Sequence, residues 1–486
     1  MNKNKKFNFL LDLLAFAAGA QTVLAFAPFN HAELAILGLL ILLASWINAS
    51  AKRAFWRGWL FGLGLFGFGC YWVYISIHLH GGASIIVATF VTAIFIAFLA
   101  LFPAIVGLLL TKLFPKNSFL KYVIVFPTIW TSVEILRSFI FTGFPWLSIG
   151  YSQINQPLSA IAPILSVYAV SFLTAMTSGI VLVPFVSNSA KKTTATLLLL
   201  IFIWLCCGYL NNINWTQKEG KQRITLIQGN IAQKQKWDPY YLENILATYK
   251  NITAQHWKSN TIVWPEAAVP LFQWQAKPFL QEMSKLAKQH NTNIITGIPI
   301  QNTQTRKYYN GMLALGKTHA EYLKRHLVPF GEYPFLSPIT NWFAKTFHIP
   351  MSSFSAGKKN QPPFKIDNII IAPSICYEIA YPLETITNIP SAQLLINISD
   401  DSWFGNSIAA AQQLQIAQMR ARETGRYLLA ATNNGITAII KPNGRILRQA
   451  QQFKKTSLTA TIYLYSGSTP WVLLAKKLFD AIKPIA

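Results

Sequence analysis

The chain of 486 residues is longer than one ordinary domain, and its composition is that of a membrane protein. Hydrophobic residues make up 52% of it and charged residues only 12%, which excludes an ordinary soluble protein. Lys and Arg number 42 against 17 Asp and Glu, so the formal net charge is +25. Such an excess indicates a protein that binds nucleic acid, a protein that binds an anionic lipid surface, or a membrane protein with basic cytoplasmic loops. The positions of the basic residues decide among the three.

Residues 1–212 have the pattern of a multispanning helical membrane domain. A helix needs about 20 mostly apolar residues to cross a bilayer. The first candidate follows a basic N-terminus, as the core of a signal peptide does, but further spans follow at once, so we interpret it as a retained helix. The candidate spans are residues 8–27, 33–49, 54–77, 84–113, 119–140, 158–186 and 194–211.

The basic residues lie in alternate connections, which predicts the orientation of these spans. Short cytoplasmic loops accumulate Lys and Arg. The first and third connections carry no Lys or Arg, and the fifth carries only Arg137. With a cytoplasmic N-terminus and seven crossings, the region from about residue 212 onward lies outside the cytoplasm. Nucleic-acid binding is disfavoured because the loops account for many of the charges. The basic residues are Lys3, Lys5, Lys6, Lys52, Arg53, Arg57, Lys112, Lys116, Lys121, Lys191 and Lys192.

Residues 213–467 have a different texture, with short β-rich runs between turns and helices, as in an α/β domain. Residues 468–486 form a C-terminal segment that returns to the membrane. This segment is short and Lys476, Lys477 and Asp480 interrupt it, so an eighth crossing stays open. Residues 333–356, rich in aromatic side chains, are the segment we expect to cover a site and exclude water.

Several candidate catalytic residues lie at or near strand ends of the polar region, where sites collect in α/β sheets. Glu266 closes TIVWPE and Cys376 closes IIIAPSICYE, while Lys324 and Glu332 lie in EYLKRHLVPFGEYP. A thiol needs a base to become a thiolate, a carboxylate takes that proton, and an ammonium stabilises the thiolate and an oxyanion. The other cysteines lie in apolar runs, so no disulfide framework is visible: Cys70, Cys206 and Cys207.

Each of these residues also has a structural explanation when it is taken alone. Cys376 is then an inert, small apolar residue at a strand end, and Glu266 caps a turn. Lys324 is a solvated charge on an edge strand, and Glu332 is a surface partner of Arg325. The residues one at a time therefore leave both interpretations open.

Their order resembles the nitrilase superfamily, which has Glu, Lys and Cys in this sequence in motifs similar to WPE, KxxLVPFGE and CYE. Together with the multispanning half, the chain resembles one branch of it, the bacterial apolipoprotein N-acyltransferases. The segments that carry this resemblance are FAPF at 26–29, FTGFPW at 141–146, GYSQ, QGNIAQKQKW, WPE, HLVPFGEYP, SICYE, DSWFG, MRARETGR and TNNG.

Carried over residue by residue, the resemblance implies a nitrilase-like αββα sandwich for residues 213–467. It implies that Glu266 is the general base, Lys324 the oxyanion-stabilising cation and Cys376 the nucleophile, with Glu332 positioning Lys324. Trp237 is also explained as an interfacial anchor. The residues that fall at the entrance beside the nucleophile are Trp237, Tyr377 and Glu378.

The resemblance also implies the reaction and its setting. An acyl chain passes from the sn-1 position of a phospholipid to Cys376, and then to the α-amine of the N-terminal S-diacylglyceryl-cysteine of an apolipoprotein. The enzyme then works as a monomer in the bacterial inner membrane, with its catalytic domain on the periplasmic side. We expect no cofactor, since no phosphate-cradling loop is present, and no metal, since no cluster has ligand spacing.

Two other functions are compatible with parts of the sequence. A membrane-tethered amidase that hydrolyses a small C–N substrate is one, but a single helix suffices for tethering. A transporter or lipid-binding protein with an inactive nitrilase-like domain is the other, but the Glu, Lys and Cys set is intact. The chain departs from the family at Asp400-Asp401, where Asn-Asp is usual, and its C-terminus lacks the expected Arg and Gly-Asp.

Overall fold

The computed structural model describes residues 3–187, 189–334, 353–386, 389 and 391–482. They form two units, one of residues 1–74 and 84–213 and the other of residues 75–83 and 214–486. Most of the segment expected to cover a site, residues 335–352, lies outside the described residues.

Helices dominate the N-terminal half of the described chain. The long ones are apolar on nearly all sides, which is typical of helices that face lipid or other helices. The α-helices of this half, long and short, are Lys3–Thr22, Glu33–Ser45, Ala51–Gly69, Trp72–Ile75, Ile85–Leu113, Phe126–Arg137, Ala162–Val186 and Ala190–Leu210.

Four helices of the described residues are long and apolar enough to cross a membrane, or five if a bent pair counts as one span. The bent pair is Ala51–Gly69 with Trp72–His80, which meet at 50°. The helix Glu33–Ser45 has only 13 residues, and at about 1.5 Å per residue it is shorter than a bilayer core of about 30 Å. The count of seven crossings therefore stays a prediction. The four helices are Lys5–Ala25, Ile85–Leu113, Pro157–Val186 and Ala190–Leu210.

The second unit contains two six-stranded sheets. One has the strand order β12-β1-β2-β3-β4-β5 and the other β11-β10-β9-β8-β7-β6, with β1–β3 and β7–β9 parallel within their sheets. The strands are β1 Gln217–Gln228, β2 Thr261–Val263, β3 Asn293–Gln301, β4 Tyr308–Leu315, β5 Ala320–Leu323, β6 Phe364–Ile366, β7 Ile369–Ile375, β8 Leu394–Ser399, β9 Leu428–Thr432, β10 Ala438–Ile440, β11 Ile446–Gln449 and β12 Thr456–Ser466.

The two sheets pack face to face, and helices cover their outer faces. One apolar core contains residues of both sheets, such as Leu226 of β1 and Ile396 of β8. A second core joins the outer face of the first sheet to the helices Leu242–Ala254 and Lys277–Gln289. The helix Ala409–Thr424 contacts β9 and β10 of the other sheet. The expected αββα sandwich is confirmed. The remaining helices are Gln233–Lys236, Pro382–Thr385 and Pro470–Ile482.

A buried guanidinium ties together three helices of the first unit. The Arg57 side chain is 2% exposed and donates to Asp12 Oδ1 at 3.0 Å and to Asn8 Oδ1 at 2.8 Å. It also donates to the backbone oxygen of Ser45. Arg53 contacts the other oxygen of Asp12 at 2.7 Å. Because these residues lie on three different helices, their contacts hold the three helices together.

Replacing Asp12 by Asn is expected to destabilise the first unit by about 3 kcal/mol, because it leaves the buried charge of Arg57 without its counter-ion. The measurement is the unfolding free energy of the full chain in detergent. Glu33→Gln is the matched control, since the Glu33 side chain is 71% exposed. Equal stability of the Asp12 and Glu33 variants would show that Arg57 needs no counter-ion.

Candidate active site

Glu266, Lys324 and Cys376 come together in the second unit. Glu266 follows β2, Lys324 follows β5 and Cys376 follows β7. Lys324 Nζ lies 3.8 Å from Glu266 Oε1, and both charges act on the Cys376 thiol. All three side chains are almost wholly buried, with Glu266 8%, Lys324 1% and Cys376 9% exposed. The sandwich therefore places an acid, an amine and a thiol in one desolvated site.

A strained turn presents Cys376. The strand β7 ends at Ile375, and Cys376 opens a 3₁₀ turn with φ of +54°, a conformation that costs a non-glycine residue about 1 kcal/mol or more. Asn397 Nδ2 donates to the Cys376 backbone oxygen at 3.2 Å, and Ile375 N donates to Glu378 Oε2 at 2.7 Å. Hydrogen bonds on both sides of the residue hold the turn.

Glu332 holds the Lys324 ammonium with both carboxylate oxygens. The Lys324 Nζ distances are 2.9 Å to Oε1 and 2.8 Å to Oε2. Val328 N donates to Glu332 Oε2 at 2.8 Å, which fixes the carboxylate on its own loop. Lys324 is therefore a buried charge rather than a solvated one, and Glu332 pairs with it.

Asn310 on β4 joins the two carboxylates, and the sequence analysis did not identify it. Its Nδ2 donates to Glu266 Oε1 at 2.7 Å and to Glu332 Oε1 at 3.0 Å. Its backbone oxygen accepts from Lys324 N at 2.8 Å. The signal available in the sequence was one amide side chain inside the strand run YYNGMLAL. Asn310 sets the spacing of the carboxylates around Lys324.

Burial and the neighbouring charges together shift the pKa values of the three residues. Burial raises the pKa of the Cys376 thiol well above its ordinary value, with a further rise from Glu266 and an opposing effect of Lys324. Burial also raises the pKa of Glu266, against the effect of Lys324. Burial alone would lower the pKa of Lys324, but Glu332, Glu266 and Cys376 raise it above its ordinary value. The raised pKa values favour a neutral Cys376 thiol and a charged Lys324 ammonium.

Of the three residues expected at an entrance, Trp237 is 51% exposed. Tyr377 is partly buried, and its ring contacts that of Tyr381 at a centroid distance of 5.2 Å. The third residue, Glu378, is 2% exposed. Its carboxylate accepts from three backbone amides and the Tyr322 hydroxyl, so it holds the Cys376 turn against the loop after β5. The amide distances are Arg325 N 2.6 Å, His326 N 3.2 Å and Ile375 N 2.7 Å.

Asp400, where the sequence departs from the Asn-Asp pattern, lies against Glu266. Its backbone N donates to Glu266 Oε2 at 2.8 Å, and its carboxylate pairs with Lys236. A charged side chain is accommodated here because it has a buried counter-ion. Within the described part of the chain, no group of three or more His, Cys, Asp and Glu side chains is arranged to hold a metal ion.

Two family models match the chain. A model described as the apolipoprotein N-acyltransferase N-terminal domain matches residues 18–180, and a model described as carbon-nitrogen hydrolase matches residues 223–467. The two matches fall on the helical half and on the sandwich.

Curated relatives cover nearly the whole chain. An apolipoprotein N-acyltransferase of Coxiella burnetii is 47% identical over 94% of this chain and 95% of its own length. One of Methylococcus capsulatus is 40% identical over 95% of this chain and 92% of its own length. One of Pseudomonas aeruginosa is 39% identical over 95% of this chain and 91% of its own length.

Two solved structures match about half of the chain. The C. elegans NitFhit protein has a TM-score of 0.41 and 17% identity, over 55% of this chain and 65% of that one. A carbon-nitrogen hydrolase from Helicobacter pylori has a TM-score of 0.39 and 15% identity, over 54% of this chain and 94% of that one.

Glu378→Gln is expected to destabilise the second unit by about 3 kcal/mol, because one carboxylate oxygen that accepts from backbone N–H groups becomes an amide nitrogen that faces them. Thermal and denaturant unfolding of the full chain in detergent measure this loss. Glu384→Gln is the matched control, since the Glu384 side chain is 32% exposed and pairs with His326. If Glu378 instead lines an entrance, the substitution will change only the KM for a substrate.

Proposed function

This chain belongs to the apolipoprotein N-acyltransferase family, and we propose that it carries the acyl group on Cys376 as a thioester. The resemblance read from the motifs is confirmed, and with it the assignment of the chain as an acyltransferase of lipoprotein maturation. The observation that carries the proposal is a buried thiol beside one carboxylate base and one paired ammonium.

In the first step, Glu266 takes the proton of Cys376 as the sulfur attacks the sn-1 ester carbonyl of a phospholipid. The tetrahedral oxyanion is stabilised by the Lys324 ammonium. Collapse breaks the ester C–O bond, the leaving alkoxide takes the proton from Glu266, and a lysophospholipid departs. The acyl chain is then held as a thioester on Cys376.

In the second step, the α-amine of the N-terminal S-diacylglyceryl-cysteine of an apolipoprotein attacks the thioester. An unperturbed α-amine has a pKa of about 8, so the attacking form needs a base near neutral pH. Glu266 takes the amine proton and returns it to the Cys376 sulfur as the C–S bond breaks. The same three side chains serve both steps because each step removes one proton and makes one oxyanion.

Glu332 and Asn310 act through the other residues rather than on the acyl group. Glu332 keeps Lys324 charged, since its two oxygens lie within 2.9 Å of the ammonium. Asn310 holds the Glu266 carboxylate by the bond at 2.7 Å. A base and a cation held by such bonds do not need to reorganise when the oxyanion forms.

The membrane half gives both substrates a route that keeps their chains in lipid. Each CH₂ moved into water costs about 0.8 kcal/mol, so extracting whole acyl chains is prohibitive. We place the protein as a monomer in the bacterial inner membrane, with its N-terminus in the cytoplasm and the sandwich on the periplasmic side. The alternation of basic and uncharged connections supports this orientation. The exposed Trp237 supports an approach for lipid beside the site.

The thioester is tested by the intact mass of the purified protein after incubation with phosphatidylethanolamine vesicles. Wild type is expected to gain one acyl-chain increment that neutral hydroxylamine removes, whereas Cys376→Ser and Glu266→Gln gain none. Cys206→Ser is the matched control and keeps the increment, because Cys206 lies in the helix Ala190–Leu210.

No increment in wild type, together with hydrolysis of small amides, would replace the acyltransferase with a tethered amidase. An increment in Cys376→Ser that resists hydroxylamine would mean that the hydroxyl replaces the thiol as an ester-forming nucleophile. An increment that survives hydroxylamine in wild type would contradict the thioester.

As the pH is lowered, the rate of thioester formation is expected to fall at a higher pH than the rate of a reaction whose base is an exposed Glu. The pKa of an exposed Glu is about 4.3. Burial raises the pKa of Glu266, so the base is lost by protonation at a higher pH. Single-turnover rates between pH 4 and pH 9 measure the acid limb. Glu282→Gln, an exposed carboxylate paired with Lys250, is expected to leave the limb unchanged. A limb at the pH of an exposed Glu would contradict the role of burial.

A further inference from the structure

Lys236 and Asp400 form a buried ion pair beside the proposed general base. Lys236 ends the helix Gln233–Lys236, and Asp400 follows β8. The Lys236 Nζ contacts Asp400 Oδ2, and their side chains are 1% and 5% exposed. Charges this deeply buried are tolerated only when they are paired and hydrogen-bonded.

The pair contacts Glu266 at two points. Asp400 N donates to the carboxylate oxygen Oε2 at 2.8 Å, and Lys236 Nζ donates to the backbone oxygen of Glu266 at 3.3 Å. One contact orients the carboxylate, and the other holds the chain from which it projects. Together the two residues therefore hold both the carboxylate and the backbone of Glu266.

The remaining carboxylate oxygen of Asp400 is also occupied. Oδ1 accepts from Asn433 Nδ2 at 3.0 Å, from Ser402 N at 3.3 Å and from the Ser402 hydroxyl. Burial alone would raise the pKa of Asp400, but Lys236 and these hydrogen bonds lower it below its ordinary value. Asp400 is therefore an anion with a fixed side chain, and its backbone N–H keeps one direction.

We propose that Lys236 and Asp400 are a positioning pair for Glu266, which orient its carboxylate and cancel each other's charge beside it. The inference rests on the proposed function, because it takes Glu266 as the general base. Neither residue touches the acyl group. The pair is needed as a pair, since either charge alone would act on Glu266 at short range without solvent to screen it.

Other titratable groups also face this region, and a change of pH acts on all of them. The substitutions in the pair leave these other groups unchanged, so the same groups are present in every variant. Besides Asp400, the groups that act on the Glu266 carboxyl are Lys324, Glu332, Cys376 and Asp401, and the groups that face Asp400 besides Lys236 are His80 and Tyr249.

The test is the acid limb of single-turnover thioester formation from phosphatidylethanolamine vesicles by the full chain. Lys236→Met leaves the Asp400 anion beside Glu266 and favours protonation of the base, so the limb moves up by about one pH unit. Asp400→Asn leaves the Lys236 cation and favours the ionised base, so the limb moves down by about one unit. A charge a few ångströms away at an effective dielectric of about 20 shifts a carboxyl pKa by at least this order.

The double variant Lys236→Met with Asp400→Asn removes both charges and is expected to return the limb to within about 0.3 pH units of wild type. A pair that serves only to hold the fold predicts something else, namely loss of rate in every variant without opposite shifts. Lys236→Arg keeps the cation and is expected to keep the wild-type limb.

Two controls separate this effect from general ones. Lys250→Met and Glu282→Gln break an ion pair whose side chains are 43% and 48% exposed, and each is expected to leave the limb in place. His80→Gln removes the imidazole that acts on Asp400 and is expected to leave the opposite shifts of the pair variants intact.

The inference is overturned if the two single substitutions move the limb in the same direction, or if Asp400→Asn leaves it unmoved. Asp400→Asn is nearly isosteric, so this arm decides the matter even where Lys236→Met does not fold. Failure of the proposed function is a separate result, seen as a wild type that forms no thioester or a Glu266→Gln variant that still forms one.

Discussion

The site depends on one interaction, a single buried ammonium held between two carboxylates. Lys324 lies 2.8 Å from Glu332 and 3.8 Å from Glu266, in a position that is 1% exposed. Removing one of these charges from water costs several kcal/mol, and only close partners offset that cost. The groups around Lys324 can therefore occupy few arrangements, and those arrangements bring Glu266 and Cys376 together.

The αββα sandwich supplies what this interaction requires. Its two sheets shield the site from water, and the ends of β2, β5, β7 and β8 deliver the charged and reactive residues. The backbone at Cys376 is strained in this arrangement, with φ of +54°. The buried Glu378 carboxylate stabilises the turn by accepting a hydrogen bond from Ile375 N. Strain and buried charge persist here because the surrounding hydrogen bonds determine the geometry.

The helical half also contains a buried charge that needs close partners, here among apolar helices. The Arg57 cation is 2% exposed and is satisfied by Asp12, Asn8 and the backbone of Ser45. An ionisable group among apolar helices is expensive unless it has such partners. In each unit, then, a few paired charges decide how large apolar surfaces come together, while the apolar surfaces supply most of the free energy.

The sequence by itself determined the division into an apolar half and an α/β half, the sandwich, and the set of Glu266, Lys324, Glu332 and Cys376. The division and the candidate residues follow from local patterns and motif order, and the sandwich follows from the resemblance to the family that these motifs carry. Only the tertiary structure brought in Asn310 and Lys236 and showed which groups the buried Glu378 carboxylate contacts, because these roles depend on contacts between distant parts of the chain. The helix Glu33–Ser45 likewise ends before the predicted span of residues 33–49 does. Hydropathy reports how much apolar surface a segment has, whereas the partner of a buried polar atom is set by the fold.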